Sequence, residues 1–146
     1  MRFHLIDRID EFEPGRHLRG RKLVSSSEEF WEHVPGGPAM PAPLVLEALC
    51  QAGTWLIMLS TDRRKRAALL QIGSVRFSGD VRAGDVLILD GVVESMNDEM
   101  AVLSGSAAVD GTPVMQATDI MCALIDADDL EDPDDSERML RMLTRS

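Results

Sequence analysis

The sequence predicts an α+β protein in which an antiparallel sheet packs on one long apolar helix. Residues 44–60 carry apolar side chains on every face, which is typical of a helix buried in a core. Between residues 67 and 124, extended segments separated by short turn signals favour only β-strands. A chain of 146 residues has the length of one domain with one core. One buried helix followed by a strand meander therefore indicates a single α+β domain.

The first third of the chain contains two predicted strands, a short helix and a loop. Residues 5–12 and 17–26 favour strands, and a Glu-Pro-Gly turn separates them. The serines and glutamates of residues 25–29 suit the first turn of a helix, so we expect a short helix that reaches Trp31. Residues 33–43 contain four prolines and two glycines, and we expect a stiff loop without regular structure there.

The long helix and the strands after it make up the rest of the predicted domain. Pro43 suits the first position of the helix, where a missing N–H costs little. The strands that follow are predicted over residues 67–77, 86–95, 100–109 and 112–124. Asp110-Gly111, between the last two strands, is a strong hairpin signal. A sheet that wraps a single apolar helix is called a hot-dog fold, and this is the arrangement that we expect.

We divide the chain into a domain of residues 1–125 and an acidic C-terminal tail of residues 126–146. Residues 126–137 contain eight acidic residues and no basic residue. The pattern of residues 136–143 allows a short amphipathic helix in the tail, and disorder is the alternative.

Charge and composition argue against several classes of protein. The formal net charge is −10, whereas nucleic-acid binding needs clustered positive charge. The longest apolar stretch contains Glu47 and Gln51 and is short for a bilayer, so we expect no membrane association. The two cysteines form no Cys-x-x-Cys motif, and the charged first residues contain no signal-peptide core. We therefore expect a cytoplasmic protein.

Glu47 and His33 are the residues that these patterns favour for chemistry. Glu47 lies early in a helix that is predicted to be buried, and burial would raise its pKa and suit it to act as a general acid. The alternative is a glutamate that faces solvent or pairs with an arginine. His33 precedes the proline-rich loop, which can fold the chain back and bring it to the helix start. Free N–H groups at that start can hold a polarised carbonyl oxygen, although an isolated histidine is more often a surface residue.

Residues 33–51 read His-Val-Pro-Gly-Gly-Pro-Ala-Met-Pro-Ala-Pro-Leu-Val-Leu-Glu-Ala-Leu-Cys-Gln. This segment resembles the signature of the FabZ-type (3R)-hydroxyacyl-[acyl-carrier-protein] dehydratases, His-Phe-Pro-Gly-x-Pro-x-x-Pro-Gly-Val-Leu-x-x-Glu-Ala-x-x-Gln. The spacing from His33 to Glu47 is the same, and so are three prolines, Gly36 and Gln51. The signature has Gly-Val where this chain has Ala-Pro. The resemblance covers roughly residues 3–125.

The resemblance implies a hydro-lyase with the hot-dog fold, built as a homodimer or a trimer of dimers. His33 of one subunit would remove the proton alpha to the thioester carbonyl. Glu47 of the other subunit would protonate the leaving hydroxyl, and the N–H of Ala42 would steady the enolate oxygen. The products would be a trans-2-enoyl thioester and water, in fatty-acid or polyketide-type synthesis. The substrate would be carried by acyl carrier protein or coenzyme A, and no metal or cofactor is implied.

The resemblance also implies a set of substrate-binding residues: Gly36, Pro41, Ala42, Pro43 and Gln51. Gln51 follows Glu47 by one helical turn, where it would orient the carboxylate or be a satisfied core amide. Pro43 takes one N–H away from the mouth of the site.

Two further interpretations stay open at this point. The chain can instead be a hot-dog acyl-thioester protein of another class, either a thioesterase or a non-catalytic acyl-binding or partner subunit. The four cations of residues 63–66 can receive an acidic carrier protein, or they can be a solvated helix end that offsets the helix dipole.

Overall fold

A computed structural model describes residues 4–127 and 133–145 of the chain. In chain order its elements are β1 (Arg8–Glu13), β2 (His17–Leu23), β3 (Glu32–Val34), β4 (Gly37–Ala39), α1 (Ala42–Ser60), β5 (Lys65–Phe77), β6 (Val86–Met96), β7 (Met100–Val109), β8 (Thr112–Asp126) and α2 (Pro133–Thr144).

Six strands form one antiparallel sheet in the order β1-β2-β6-β7-β8-β5. The predicted hairpin between β7 and β8 is present, with Val109 paired to Thr112. Asp110 and Gly111 join the two strands with φ of 50° and 78°, the left-handed backbone that a tight two-residue hairpin needs. The sheet wraps α1, which confirms the α+β class and the hot-dog arrangement.

The core lies between the inner face of α1 and the concave face of the sheet, where the helix contacts β2, β5, β6 and β7. Leu49, Ala52 and Leu56 of the helix are at most 2% exposed. A Cβ atom on Gly105 of β7 would lie 2.6 Å from the carbonyl oxygen of Asp90 and 2.9 Å from Leu49 Cδ1. The glycine therefore lets the helix approach the sheet closely.

By length and composition alone, α1 could cross a bilayer, because an 18-residue window of it has a mean hydropathy of 1.5. Half of that window is buried within the single chain. A core helix of a globular protein has the same properties.

The short helix expected over residues 25–31 is wrong. Ser25 Oγ instead accepts a hydrogen bond from the Ser27 N–H at 3.2 Å, and the Ser25 carbonyl accepts one from the Glu28 N–H at 3.2 Å, which makes a local turn. Glu28 Oε1 lies 3.0 Å from the Nζ of Lys22, whose side chain is only 4% exposed. Glu28 thus neutralises a buried lysine on β2. This tertiary ion pair, and not the local sequence pattern, accounts for the conformation of the segment.

The expectation of a proline-rich loop without regular structure is also wrong. β3 and β4 form a separate two-stranded ribbon in which His33 pairs with Pro38 and Val34 pairs with Gly37. Both strands of such a ribbon are edges, where a proline is tolerated. The helix α1 begins at Ala42, so Pro43 is its second residue and not its first, as the sequence suggested.

The second helix packs on the edge of the domain beside β1. Its Leu143 is 4% exposed and belongs to the core, and Arg8 Nη1 donates to the Met142 carbonyl at 3.0 Å. The helix extends over Pro133–Thr144, whereas the sequence suggested residues 136–143. β8 continues to Asp126, one residue beyond the predicted end of the domain, and residues 128–132 of the acidic run lie outside the described residues.

Candidate active site

His33 is carried by the β3–β4 ribbon, directly before the segment that leads into α1. Its side chain is exposed in the single chain. Pro35 and Gly36 form the turn of the ribbon, and Gly36 and Gly37 adopt φ of 93° and 119°. These angles are in the region that favours glycine, so the sequence folds back sharply at this point.

Glu47 lies on α1, and its expected burial is wrong for the single chain, where the residue is exposed. The reason is that in its first turns the helix is covered on one side, which buries Val45, Ala48 and Leu49, whereas Pro43 and Glu47 are exposed on the other. The expectation of a helix buried on every face therefore fails for its first turns, whereas residues 55–58 are all buried in the single chain.

A hydrogen-bond relay fixes the orientation of the Gln51 side chain towards Glu47. The N–H of Leu5 donates to Gln51 Oε1 at 2.7 Å, which leaves the amide nitrogen to point the other way. That nitrogen, Nε2, donates to Glu47 Oε1 at 3.3 Å. The structure thus brings Gln51 and Glu47 into contact and connects both to the segment before β1.

The start of α1 offers one backbone donor. The Pro41 carbonyl accepts hydrogen bonds from the N–H groups of Leu44 and Val45 at 2.9 and 3.2 Å. Pro43 has no N–H, and the helix has no side-chain cap hydrogen bond. In the first turn of the helix, the Ala42 N–H is therefore the donor without an acceptor inside the helix.

A small apolar cavity of about 40 Å³ lies between α1 and the sheet, close to Glu47 along the helix. Its lining includes Leu49, Gly53, Leu103 and both cysteines, Cys50 and Cys122. Burial, together with the nearby Glu47 carboxylate, raises the pKa of Cys50 to about 11. Cys50 is therefore a neutral thiol at physiological pH and not a nucleophile.

Arg82 is a residue near this site that the sequence analysis missed. Its Nη1 donates to the Gly37 carbonyl at 2.8 Å, and its Nη2 donates to the Pro35 carbonyl at 3.2 Å. Both acceptors belong to the ribbon that carries His33. A single arginine before a turn has no sequence signal that separates it from an ordinary surface arginine.

The four cations of residues 63–66 do not form one cationic surface. Arg66 is 5% exposed and donates to backbone carbonyls, and Lys65 Nζ pairs with Asp126 Oδ1 at 2.7 Å. Arg64 donates its Nε–H to the Thr61 carbonyl at 3.1 Å and is exposed. The run thus offers a partner less positive charge than its sequence suggests. Within residues 4–127 and 133–145, no group of three His, Cys, Asp or Glu side chains is placed to hold a metal ion.

Comparison with known proteins assigns the chain to a family. The FabA-like domain family matches residues 1–118. A curated 3-hydroxyacyl-[acyl-carrier-protein] dehydratase FabZ from Nitratidesulfovibrio vulgaris is 40% identical over 119 residues, which cover 79% of this chain and 77% of the relative. The chain belongs to the FabZ/FabA-like dehydratase family. It is accordingly a hydro-lyase.

Further relatives of the dehydratase agree with this assignment. The FabZ dehydratase of Klebsiella pneumoniae is 38% identical over 125 residues, which cover 83% of this chain and 82% of the relative. Among solved structures, smu.793 from Streptococcus mutans bound to acetyl CoA has a TM-score of 0.69 at 17% identity, and the match covers 86% of the dehydratase and 94% of smu.793. At that identity the likeness shows the fold alone.

Proposed function

We propose that this dehydratase removes water from (3R)-3-hydroxyacyl thioesters and gives trans-2-enoyl thioesters, in fatty-acid or polyketide-type synthesis. The observation that carries the proposal is the start of α1, where a backbone donor at Ala42 precedes a held carboxylate at Glu47 by five residues. A rise of 1.5 Å per residue puts the two about 7.5 Å apart along the helix axis. The backbone donor and the carboxylate therefore lie within the first two turns of one helix.

The proposed chemistry gives each group one task. His33 takes the proton from the carbon alpha to the thioester carbonyl, and the Ala42 N–H stabilises the negative charge that develops on the carbonyl oxygen. Glu47 donates a proton to the hydroxyl on the next carbon, because hydroxide is a poor leaving group. The C–H and C–O bonds break, a carbon–carbon double bond forms, and one water leaves.

The remaining site residues are proposed to shape the space around this chemistry. Gly36 gives the ribbon its sharp turn, and Pro41 and Pro43 stiffen the entry to α1. Gln51 orients Glu47 through the contact at 3.3 Å. Pro43 leaves the Ala42 N–H as the first-turn donor that a substrate can use.

We also propose that the site is completed by a second copy of the chain. His33 and Glu47 are both exposed in one subunit, although acid–base chemistry on a thioester benefits from a site that excludes water. β5 is an edge of the sheet and exposes Leu69, Leu70 and Phe77 by 52%, 59% and 48%. An apolar edge strand of this kind invites pairing with another strand. A homodimer across this edge would cover it, and a trimer of such dimers is a further proposal.

The carrier and the compartment belong to the same proposal. The curated relatives are named for substrates bound to acyl carrier protein, and we propose the same carrier here, with coenzyme A thioesters as the alternative. We place the reaction in the cytoplasm, where free thiols such as those of Cys50 and Cys122 persist.

The test is the reversible hydration of trans-2-enoyl thioesters, followed by enoyl absorbance across a series of chain lengths. His33→Ala and Glu47→Gln should each lower kcat by roughly 10²–10⁴-fold, because each removes one proton-transfer group. The matched controls His4→Ala and Glu29→Gln change exposed residues outside the proposed site and should keep full activity.

Other outcomes of the same assay would contradict the proposal. Full activity of either site variant would rule out the assigned acid–base pair. Release of a free thiol, detected with a thiol reagent, would indicate a thioesterase. Binding of the acyl thioester with neither signal would indicate a non-catalytic acyl-binding subunit.

A further inference from the structure

Arg82, in the connection between β5 and β6, forms hydrogen bonds to the backbone of the ribbon that carries His33. Its Nη1 donates to the carbonyls of Gly37 and Pro38 at 2.8 and 3.3 Å, and its Nη2 donates to the carbonyl of Pro35 at 3.2 Å. The planar guanidinium presents several donors in a fixed fork, so it can hold several acceptors at once. One side chain thereby binds three carbonyls, one in the turn of the ribbon and two on β4.

The local backbone is adapted to this contact. A Cβ atom on Gly36 would lie 3.1 Å from Arg82 Nη2, so the glycine leaves room for the guanidinium as well as allowing the turn. Directly before Arg82, the Val81 carbonyl accepts a hydrogen bond from the Met40 N–H at 2.7 Å. Residues 81 and 82 therefore hold β4 at Pro38 and again just beyond its end.

Arg82 is itself held by a rigid turn. Its N–H donates to Asp85 Oδ2 at 2.8 Å, and its carbonyl accepts from the Asp85 N–H at 3.1 Å. The turn is joined to Val24 by two backbone hydrogen bonds, at 2.8 Å from the Gly84 N–H and at 3.0 Å to the Asp85 carbonyl. Val24 and Val81 are at most 1% exposed. The backbone of Arg82 is thus fixed by the turn and by its hydrogen bonds to Val24, and the guanidinium extends from there to the ribbon.

We propose that Arg82 is a positioning residue for the dehydration: it touches no substrate and acts by fixing the ribbon that presents His33. The inference rests on the proposed role of His33 as the base. β3 and β4 have three residues each, and among the strands of residues 4–127 and 133–145 they pair only with one another. A lone ribbon of that size is unstable in water. His33 pairs with Pro38, and Arg82 binds the carbonyl of Pro38. By holding β4 in place, Arg82 therefore also holds His33.

A displacement of the base should lower the rate of proton transfer more than it weakens the binding of the substrate. A displacement of about 1 Å at a reacting group can cost about 10²-fold in rate. In the proposed mechanism the substrate also contacts the Ala42 N–H at the start of α1, which Arg82 does not touch. Loss of Arg82 should therefore lower kcat and leave KM nearly unchanged.

The experiment compares Arg82→Ala and Arg82→Lys with the control Arg16→Ala in enoyl-thioester hydration. Arg16 lies in the β1–β2 turn, and its guanidinium pairs at 3.2 Å with the exposed Glu13. Arg82→Ala should lower kcat by about 10–100-fold with KM within about threefold. Arg82→Lys keeps the charge but loses the fork, and it should recover part of the rate. Arg16→Ala should match the unchanged enzyme.

Hydrogen exchange gives a readout that does not depend on turnover. In Arg82→Ala, the backbone N–H groups of residues 34–40 should exchange faster, while those of α1 should keep their protection. A kcat of Arg82→Ala within twofold of the unchanged enzyme would overturn the inference. So would a loss of activity that is accounted for by a smaller folded fraction at the assay temperature.

Two variants keep the outcomes distinct. If Arg82→Ala does not fold, Arg82→Lys decides: a lowered kcat at unchanged KM supports positioning, and an unchanged kcat contradicts it. An inactive His33→Ala beside a fully active Arg82→Ala would overturn this inference alone. A fully active His33→Ala would overturn the proposed function as well.

Discussion

At the scale of single residues, the orientation of Glu47 depends on groups that are distant in sequence. The carboxylate faces away from the sheet, so the core does not hold it. Gln51 does so at 3.3 Å, and Gln51 is held in turn by the N–H of Leu5, 46 residues earlier. Glu47 is therefore oriented by the relay and not by burial.

Gln51→Leu tests this relay. The variant leaves the Leu5 N–H without its acceptor, which should destabilise the fold by about 1–3 kcal/mol. It also frees Glu47, so kcat should fall by about 10-fold while KM changes little. Thermal unfolding and hydration kinetics check both effects. Gln116→Leu, on the exposed side of β8, is the control and should change neither. Unchanged kcat in Gln51→Leu would show that Glu47 needs no orientation.

The spacing of the candidate site was readable from the sequence, but its surroundings were not. His33, Glu47 and Gln51 stand at fixed positions in a linear signature, so a resemblance identifies them. The exposure of Glu47 depends on which side of α1 the sheet covers, and the contacts of Arg82 depend on a fold that joins residues 45 positions apart. Neither the exposure of Glu47 nor the contacts of Arg82 can be predicted from a local sequence pattern.

At the scale of elements, local signals predicted those strands whose structure is decided locally. β7 has the predicted bounds and β6 is one residue longer, because side-chain alternation and an Asp-Gly turn act between neighbours. The helix expected over residues 25–31 and the loop expected over residues 33–43 failed for the opposite reason. Glu28 pairs with Lys22, and Arg82 binds a carbonyl of the ribbon, so both segments make tertiary contacts that a local pattern does not show.

The pairing of β2 with β6 contains a charge cluster that makes stability depend on pH. Arg19 Nε donates to Asp90 Oδ1 at 2.8 Å, and His17 Nε2 lies 3.0 Å from the same oxygen. Burial raises the pKa of the Asp90 carboxyl, but the hydrogen bonds from Arg19 and His17 outweigh it, and the pKa is lowered overall. A carboxyl with a lowered pKa stabilises the fold above its ordinary pKa, and this contribution is lost as the pH falls through the lowered value.

Asp90→Asn should therefore destabilise the protein by about 1 kcal/mol at pH 7, a value limited by solvent screening. Between the unchanged protein and the variant, the difference in unfolding free energy should shrink as the pH falls below about 4. Urea unfolding at fixed protein concentration measures it at pH 7 and near pH 3. Asp98→Asn, in the exposed β6–β7 turn, is the control. A difference that stays constant with pH would mean that the carboxylate charge is not what stabilises the pair of strands.

At the scale of the whole molecule, the single chain leaves both the candidate site and one apolar edge of the sheet exposed. His33 and Glu47, the proposed base and acid, are exposed, and β5 is an edge strand of the sheet with Leu70 59% exposed. In a two-fold dimer, whatever one subunit contributes to a site of the other subunit it also receives from that subunit. Two equal sites therefore form. The proposed dimer therefore accounts for the exposed edge and for the exposed acid–base pair together.

Mixing two inactive variants tests whether a site draws on both subunits. In a heterodimer of His33→Ala and Glu47→Gln, one site receives both intact residues and the other receives neither. Random exchange of subunits makes about half of the dimers mixed, each with one working site of two, so activity should return to about a quarter of the unchanged enzyme. The measurement is enoyl-thioester hydration after the variants are co-expressed, with each variant alone as the control and sedimentation to show that dimers are present. If His33 and Glu47 served one site within the same chain, every mixture would stay as inactive as its parts.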